Sequence, residues 1–305
     1  MKSNSLFKQY IDSFGKLLVE DKCGNVGHPD GWCVCPICLE PFSFSEEGEI
    51  EYNGMDNSSN PRPHLTVEHV PPKALGGKKI CLTCNRCNSN SGNTMDKAFL
   101  DEIKIIDSMN PSIVHNHKCL LTSGSFRCTA HVTIKDKSLS FYVNDKSEIE
   151  DFVDVYNKEQ SFNIKVFVTD SKRDKEAAML SMLKQAYLFA FTSLKEEYSY
   201  QESLDVIRNQ INPRFRGERF KSVFPQAVIL KEDSPFCNLS PGLYKGKFNH
   251  YNCIFVIYNV RQNDMSPNHK IFVVLPGEYS KPGEYELALQ EKDAHIVIDA
   301  FSPIN

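Results

Sequence analysis

Four cysteines in two short pairs are the residues whose spacing most directly implies chemistry. Cys35-Pro-Ile-Cys38 and Cys84-Asn-Arg-Cys87 are C-x2-C turns with 45 residues between them. One such turn aims two thiolates at one cation, and two turns complete a tetrahedral sulfur shell. Zinc suits that shell, because it favours thiolate and has no ligand-field geometry to violate. A site closed by four protein ligands is structural, so its task would be to tie one segment to another. Two alternatives stay open: Cys81 also makes a C-x2-C pair with Cys84, and Cys33 lies two positions before Cys35. Cys81 falls in a strand-like run, where its side chain should alternate away from Cys84.

The chain has 11 cysteines, and seven of them lie between Cys23 and Cys87. The start, MKSNSLFKQYIDSFGKLLVEDK, has no apolar signal core, and no run is long and apolar enough to span a bilayer. The expectation is a cytoplasmic protein in a reducing compartment, where clustered cysteine means metal ligation rather than disulfides. Cys23, Cys119, Cys128, Cys237 and Cys253 are expected to be ordinary buried thiols.

Between the two knuckles lies LTVEHVPPKALGGKKICLTCNRCNSNSGN. Glu68 and His69 are adjacent at the end of a strand-like run, and successive strand side chains point to opposite faces. One of the pair can therefore hold a cation while the other addresses a water. An imidazole is suited to taking a proton from water near neutrality. Lys73, Lys78, Lys79 and Arg86 follow with no acid among them, a local cationic patch for phosphates.

This order of features resembles the zinc-knuckle branch of the HNH, or ββα-metal, endonucleases. It has an acid before His, then Pro, Gly-Gly, and a C-x2-C-Asn knuckle opening a helix. The resemblance covers residues 35 to about 100. It implies that His69 is the general base and that Glu68 and Asn88 ligate a catalytic Mg2+ or Mn2+. It also implies that Cys35, Cys38, Cys84 and Cys87 hold a structural zinc. The chain departs from the pattern in having Glu68 where Asp is usual, Lys79 near the place of the middle Asn, and Ser91 where Lys is frequent. The implied reaction is hydrolysis of DNA phosphodiester bonds, with RNA left open. Such modules joined to a further domain occur in bacterial restriction and antiphage defence. The alternative reading is a non-catalytic zinc module that binds nucleic acid or protein.

The elements that must position these residues follow from periodicity. Residues 5–20 have helical spacing. Residues 43–63, rich in acids and ending NSSNPRP, should form an exposed, loosely structured insertion. LTVEH and ICLTC are strands, and a helix runs from Asn88 to about Ile106. Asp96 on that helix is expected at the surface. Residues 127–143 predict two strands, and 163–168 another. The clearest helix is 172–198, with Leu180, Leu183, Tyr187, Phe191 and Leu194 at three- and four-residue steps. The runs 227–230, 253–260, 270–275 and 295–300 are strand-like.

A length of 305 residues suggests about two domains. The formal net charge of -4 means that nucleic-acid binding must rest on local patches rather than an overall field. The expectation is an α+β chain. An N-terminal zinc-stabilised ββα-metal (HNH) module spans residues 1–107, and a C-terminal mixed sheet and helix domain of unassigned role spans 118–305. In the second part, RNQINPRFRGERFK (208–221) offers a second cationic patch or simply a charged loop. The partners expected are DNA, no membrane, and either a second copy of the chain or a defence-system protein.

Overall fold

A computed structural model describes residues 19–20, 26–27, 32–44, 50–54, 62–108, 115–135, 138–143, 146–158, 163–167, 173–199, 201–264, 266–291 and 295–299. In chain order the strands are β1 (Val19–Glu20), β2 (Val26–Gly27), β3 (Trp32–Val34), β4 (Pro41–Phe44), β5 (Ile50–Tyr52), β6 (Leu65–Val70) and β7 (Lys78–Cys84). Helix α1 (Asn85–Ser91) passes through a π turn at Gly92–Asp96 into α2 (Lys97–Ser108). Then come β8 (His115–Ser123), β9 (Phe126–Lys135), β10 (Ser138–Val143), α3 (Lys146–Lys158), β11 (Asn163–Phe167), α4 (Lys175–Ser199) and α5 (Asp205–Ile211). The chain ends through β12 (Ala227–Ile229), β13 (Gly242–Phe248), β14 (Tyr251–Val260), β15 (His269–Pro276), α6 (Glu284–Gln290) and β16 (Ile296–Ile298). The mixture of helices and sheets is the α+β class expected.

The expected helix at 5–20 lies outside the described residues except at Val19–Glu20, which pair with Val26–Gly27 as strand. The expected loose insertion at 43–63 is corrected in part. Pro41–Phe44 is the central strand of a three-stranded antiparallel sheet, pairing with Trp32–Val34 on one side and Ile50–Tyr52 on the other. Residues 45–49 and 55–61 lie outside the described set. The helix after the second knuckle starts at Asn85, earlier than expected, because the β7 backbone turns directly into it at Cys84.

The chain folds into two compact units that interleave along the sequence, where periodicity and composition suggest a linear division near residues 107–118. One unit comprises residues 1–99, 175–261 and 268–305, and the other 100–174 and 262–267.

The first unit is built around α4. Its apolar positions Leu180, Leu183, Tyr187 and Phe191 are buried, as expected. Its polar positions Ser181, Lys184 and Gln185 are buried too. A helix with no solvent face must be covered all round. Here α4 meets β6, β7 and the π turn as well as β12, β14 and β15 of a five-stranded antiparallel sheet ordered β12-β15-β14-β13-β16. The central strands β14 and β15 are nearly continuous apolar runs, Cys253–Tyr258 and Ile271–Leu275, all buried. The second unit holds a four-stranded antiparallel sheet ordered β10-β9-β8-β11 with α3 against β9 and β10. Cys119, Leu121, Cys128, Ala130, Val132 and Val143 form its core. Among the described residues no helix is long and apolar enough to cross a membrane.

Candidate nuclease and metal site

The first site is a cluster of thiols. The Sγ atoms of Cys35, Cys38, Cys84 and Cys87 all lie within 4.8 Å of one another. Cys38 Sγ and Cys84 Sγ are 3.7 Å apart. The backbone carries this geometry. Cys35–Cys38 turn tightly, with the Leu39 N–H donating to the Cys35 carbonyl at 2.8 Å. The Cys84 N–H donates to Cys35 Sγ at 3.3 Å. Hydrogen bonds from Cys35, Cys38 and Cys87 pull the Cys84 thiol far below the ordinary range, while burial pushes Cys35 well above it. Four sulfurs so close are a donor set that fits a tetrahedral soft cation such as zinc. Cys81 is buried on β7 but stands outside the cluster, as strand alternation requires. The Cys33 side chain lies outside the described residues.

Two residues from the C-terminal part support the cluster. Tyr187 of α4 donates its hydroxyl to the Pro36 carbonyl at 2.7 Å, seating the first knuckle on the helix. Burial would pull Arg214 down, but Cys38, Cys87, Cys84 and Glu40 outweigh it and raise the guanidinium above its ordinary range. Arg214 Nη2 lies 3.5 Å from Glu40 Oε1.

The second site is the β6–β7 hairpin with α1. Leu65 pairs with Cys84 and Glu68 with Cys81, and then the register shifts so that His69 pairs with Lys79. This bulge sits between Glu68 and His69, and bulges re-aim side chains. Between the strands, Gly76 takes φ +85° and Gly77 lies against the chain itself. A Cβ on Gly77 would sit 1.4 Å from the Pro71 carbonyl oxygen. The glycine pair therefore serves the turn. Lys73, Lys78 and Lys79 are exposed and Arg86 is partly buried. Because Lys79 is opposite His69, a cation and an imidazole share one face of the hairpin.

Asn88 docks on β6 from the second turn of α1. Its amide nitrogen donates to Thr66 Oγ1 at 2.9 Å and to the Val67 carbonyl at 3.4 Å. Its amide oxygen carries neither bond. Glu68 turns inward and is 3% exposed. One carboxylate oxygen accepts from Thr83 Oγ1 at 3.0 Å, and the other lies 3.1 Å from Lys184 Nζ. Burial pushes its carboxyl above the ordinary range, against the pull of Lys184. Asn88 thus meets β6 at Thr66 and Val67, the residues just before Glu68 in sequence, and no hydrogen bond among the described residues joins His69 to either. His64 is exposed, and its backbone N–H donates to Asn85 Oδ1 at 3.2 Å. Ser91 is buried and donates to the Cys87 carbonyl at 2.6 Å.

Sequence reasoning missed Lys184 and misplaced Asp96. Lys184 of α4 is 0% exposed and lies 2.9 Å from Asp96 Oδ2 as well as against Glu68. Asp96 is not at the surface, where it was expected. Its side chain is 13% exposed and also accepts from Ser181 at 2.6 Å and Gln185 at 3.3 Å. Burial alone would pull Lys184 down, but Asp96 and Glu68 outweigh it and hold the ammonium above the ordinary lysine range. The sequence signal was the polar Ser181-Lys184-Gln185 stripe on an otherwise apolar helix.

The residues from Thr66 to Asn88 thus form a hairpin and helix start with an acid, an imidazole and an amide within one short stretch. Residues 57–104 match the family model described as HNH endonuclease. This segment is an HNH module. No curated protein and no solved structure matches the chain. The HNH module, which implies nuclease activity and a nucleic-acid substrate, begins after the first knuckle. The 208–221 segment is only partly the free cationic patch considered from sequence. Arg208 is buried and paired with Asp205 at 2.6 Å, and Arg214 is turned to Glu40. Arg216, Arg219 and Lys221 are exposed. Cys119, Cys128 and Cys253 are buried thiols as expected, whereas Cys237 is partly exposed; Cys23 lies outside the described residues.

Proposed function

We propose that the chain is a metal-dependent endonuclease that hydrolyses DNA phosphodiester bonds. The observation that carries this is the docking of Asn88 onto β6 at Thr66 and Val67, in the strand that ends in Glu68 and His69 and inside the segment matched by the HNH family model. In this reading His69 takes the proton from the attacking water. Lys79, across the hairpin from it, with Lys78 and Lys73, holds the phosphate backbone. Glu68 and the Asn88 amide oxygen are the ligands for Mg2+ or Mn2+. Both offer hard oxygen donors, and each Glu68 oxygen makes one hydrogen bond or ion pair, so lone pairs remain for a cation. A divalent ion there supplies charge neutralisation at phosphorus and at the leaving 3′-oxygen. Cys35, Cys38, Cys84 and Cys87 are the ligands of a structural zinc. A place in restriction or antiphage defence, in a reducing cytoplasm, completes the proposal by analogy of architecture.

One observation favours a second reading. Glu68 is buried against Lys184, so its charge already has a partner. A non-catalytic zinc module would need no more. Plasmid cleavage with Mg2+ or Mn2+, wild type beside His69→Ala, separates the two. The nuclease reading expects a loss of about 10²- to 10⁴-fold in the variant, the range for general-base removal. Equal nicking by both proteins, or none by either, favours the non-catalytic module.

A further inference from the structure

Among the described residues, the sheet of the second unit has one face on which no helix of that unit makes a substantial contact. Helix α3 covers the other, where Phe152 meets Phe126 with ring centroids 6.2 Å apart. Strand register decides what stands on the open face. Tyr142 pairs with His131, His131 with Lys118, and Lys118 with Phe167. These four residues form a single row across β10, β9, β8 and β11. Paired residues share a face. Lys165 belongs to the same face one row along, and Arg127 to the same face two rows along. Their placement matches the burial pattern, with Cys119, Ala130 and Val132 alternating onto the covered side. Tyr142 is 67% exposed and Phe167 39%. The Lys165 ammonium lies over the Phe167 ring, 5.6 Å from its centroid.

Two exposed rings at the ends of a row, with an imidazole and a lysine between them, are costly to leave in water without use. Charge decides the occupant. Taken through the register, the strand positions of this face include lysines, an arginine and a histidine, and no aspartate or glutamate. An acid-free face in a chain of net charge -4 selects a polyanion. The rings narrow the choice, since duplex bases present edges in grooves while unpaired bases present faces for stacking. Neighbouring strands are about 4.8 Å apart, so the outer rings of a four-strand row stand roughly 14 Å from each other. That is room for roughly two to three bases.

We propose that the open face of the β8–β11 sheet, centred on Tyr142, His131, Lys118 and Phe167, binds single-stranded nucleic acid. The inference goes beyond cleavage by the HNH module and does not depend on it. The rings stack on bases, and Lys118, Lys165 and Arg127 follow the phosphates.

The test uses the full chain without added magnesium, with fluorescent oligo-dT and oligo-rU of about 20 nucleotides and a duplex of the same length. Tyr142→Ala with Phe167→Ala is expected to weaken single-strand binding about tenfold or more and to leave duplex binding unchanged. Lys118→Ala, Arg127→Ala and Lys165→Ala together should lower the slope of log affinity against log salt by about 2. Ultraviolet cross-linking of the wild type should attach bases to residues 138–143 and 163–167, a readout that needs no variant to fold. Tyr142→Phe, which keeps the ring, should bind like wild type. A preference for one oligonucleotide assigns DNA or RNA. Equal single-strand affinity in the aromatic variant, or cross-links confined to the hairpin at 65–88, overturns the proposal. Self-association of the wild type that the aromatic variant abolishes would give this face to a second copy of the chain instead.

Discussion

Lys184 is a buried ammonium held by two carboxylates from the HNH module, Glu68 and Asp96. Removing the lysine leaves two largely buried carboxylates with neutral donors (Thr83 on Glu68, Ser181 and Gln185 on Asp96) but no opposite charge. Lys184→Met is therefore expected to cost about 3–5 kcal/mol of stability, far more than an exposed ion pair would. Urea unfolding measures this, and a loss under 1 kcal/mol would show that the carboxylates are hydrated without the lysine. The cysteines supply a second residue-scale prediction. Burial pushes the Cys253 thiol up to about 12. Only thiolate reacts readily with alkylating reagents. Iodoacetamide on the native, zinc-loaded protein should modify Cys237, which is partly exposed, and spare Cys119, Cys128 and Cys253. Mass spectrometry of the labelled peptides checks it. The acid, imidazole and amide were legible because they lie within a short stretch whose spacing carries a motif. Lys184 was not, since a lysine in a helix ordinarily faces solvent and nothing local says that Asp96 awaits it.

At the scale of elements, the hairpin, the first knuckle and α1 meet at the thiol cluster. Small modules bury too little apolar surface to hold without such a clamp. Cys38→Ser, or a strong zinc chelator, is expected to open this region first. Hydrogen exchange should rise in β3, β6, β7 and α1 while β14 and β15 stay protected. Uniform loss across both would mean that the unit has no separable metal-dependent part. The two hairpin strands, α4 and the strands at 227–229, 251–260 and 269–276 were readable from period-2 and period-3.6 patterns. Among the described elements, β1 to β5, β8, β13, α3, α5 and α6 were not anticipated. In α5 the pattern is obscured because Arg208 is buried through its ion pair with Asp205 rather than by being apolar. The π turn at Gly92–Asp96 was invisible too, although it ends on Asp96, whose carboxylate meets α4.

At the scale of the molecule, one compact unit takes in both ends of the chain and α4, while residues 100–174 and 262–267 form the other. A linear division near residue 118 cuts the β6–β7 hairpin from the helix that seats it. A fragment of residues 1–118 is therefore expected to lack cooperative unfolding even with zinc, because Tyr187 and Lys184 are gone. Near-ultraviolet circular dichroism and a thermal melt test this, and a sharp melt would establish the module as self-sufficient. The class and the motif were readable in advance, since both rest on local periodicity. The interleaving was not, since α4 packs on β6 and β7 from about a hundred residues further along the chain.

That separation also sets a clock during protein synthesis. The ribosome releases Cys87 roughly a hundred residues ahead of the end of α4. At about 5–20 residues per second the delay is of the order of ten seconds. For that interval the nascent hairpin lacks its seat, so under the proposed function the growing polypeptide is expected to be unable to cut DNA. Stalled translation complexes ending at residue 170 should leave nucleic acid intact, while chains released at full length should not.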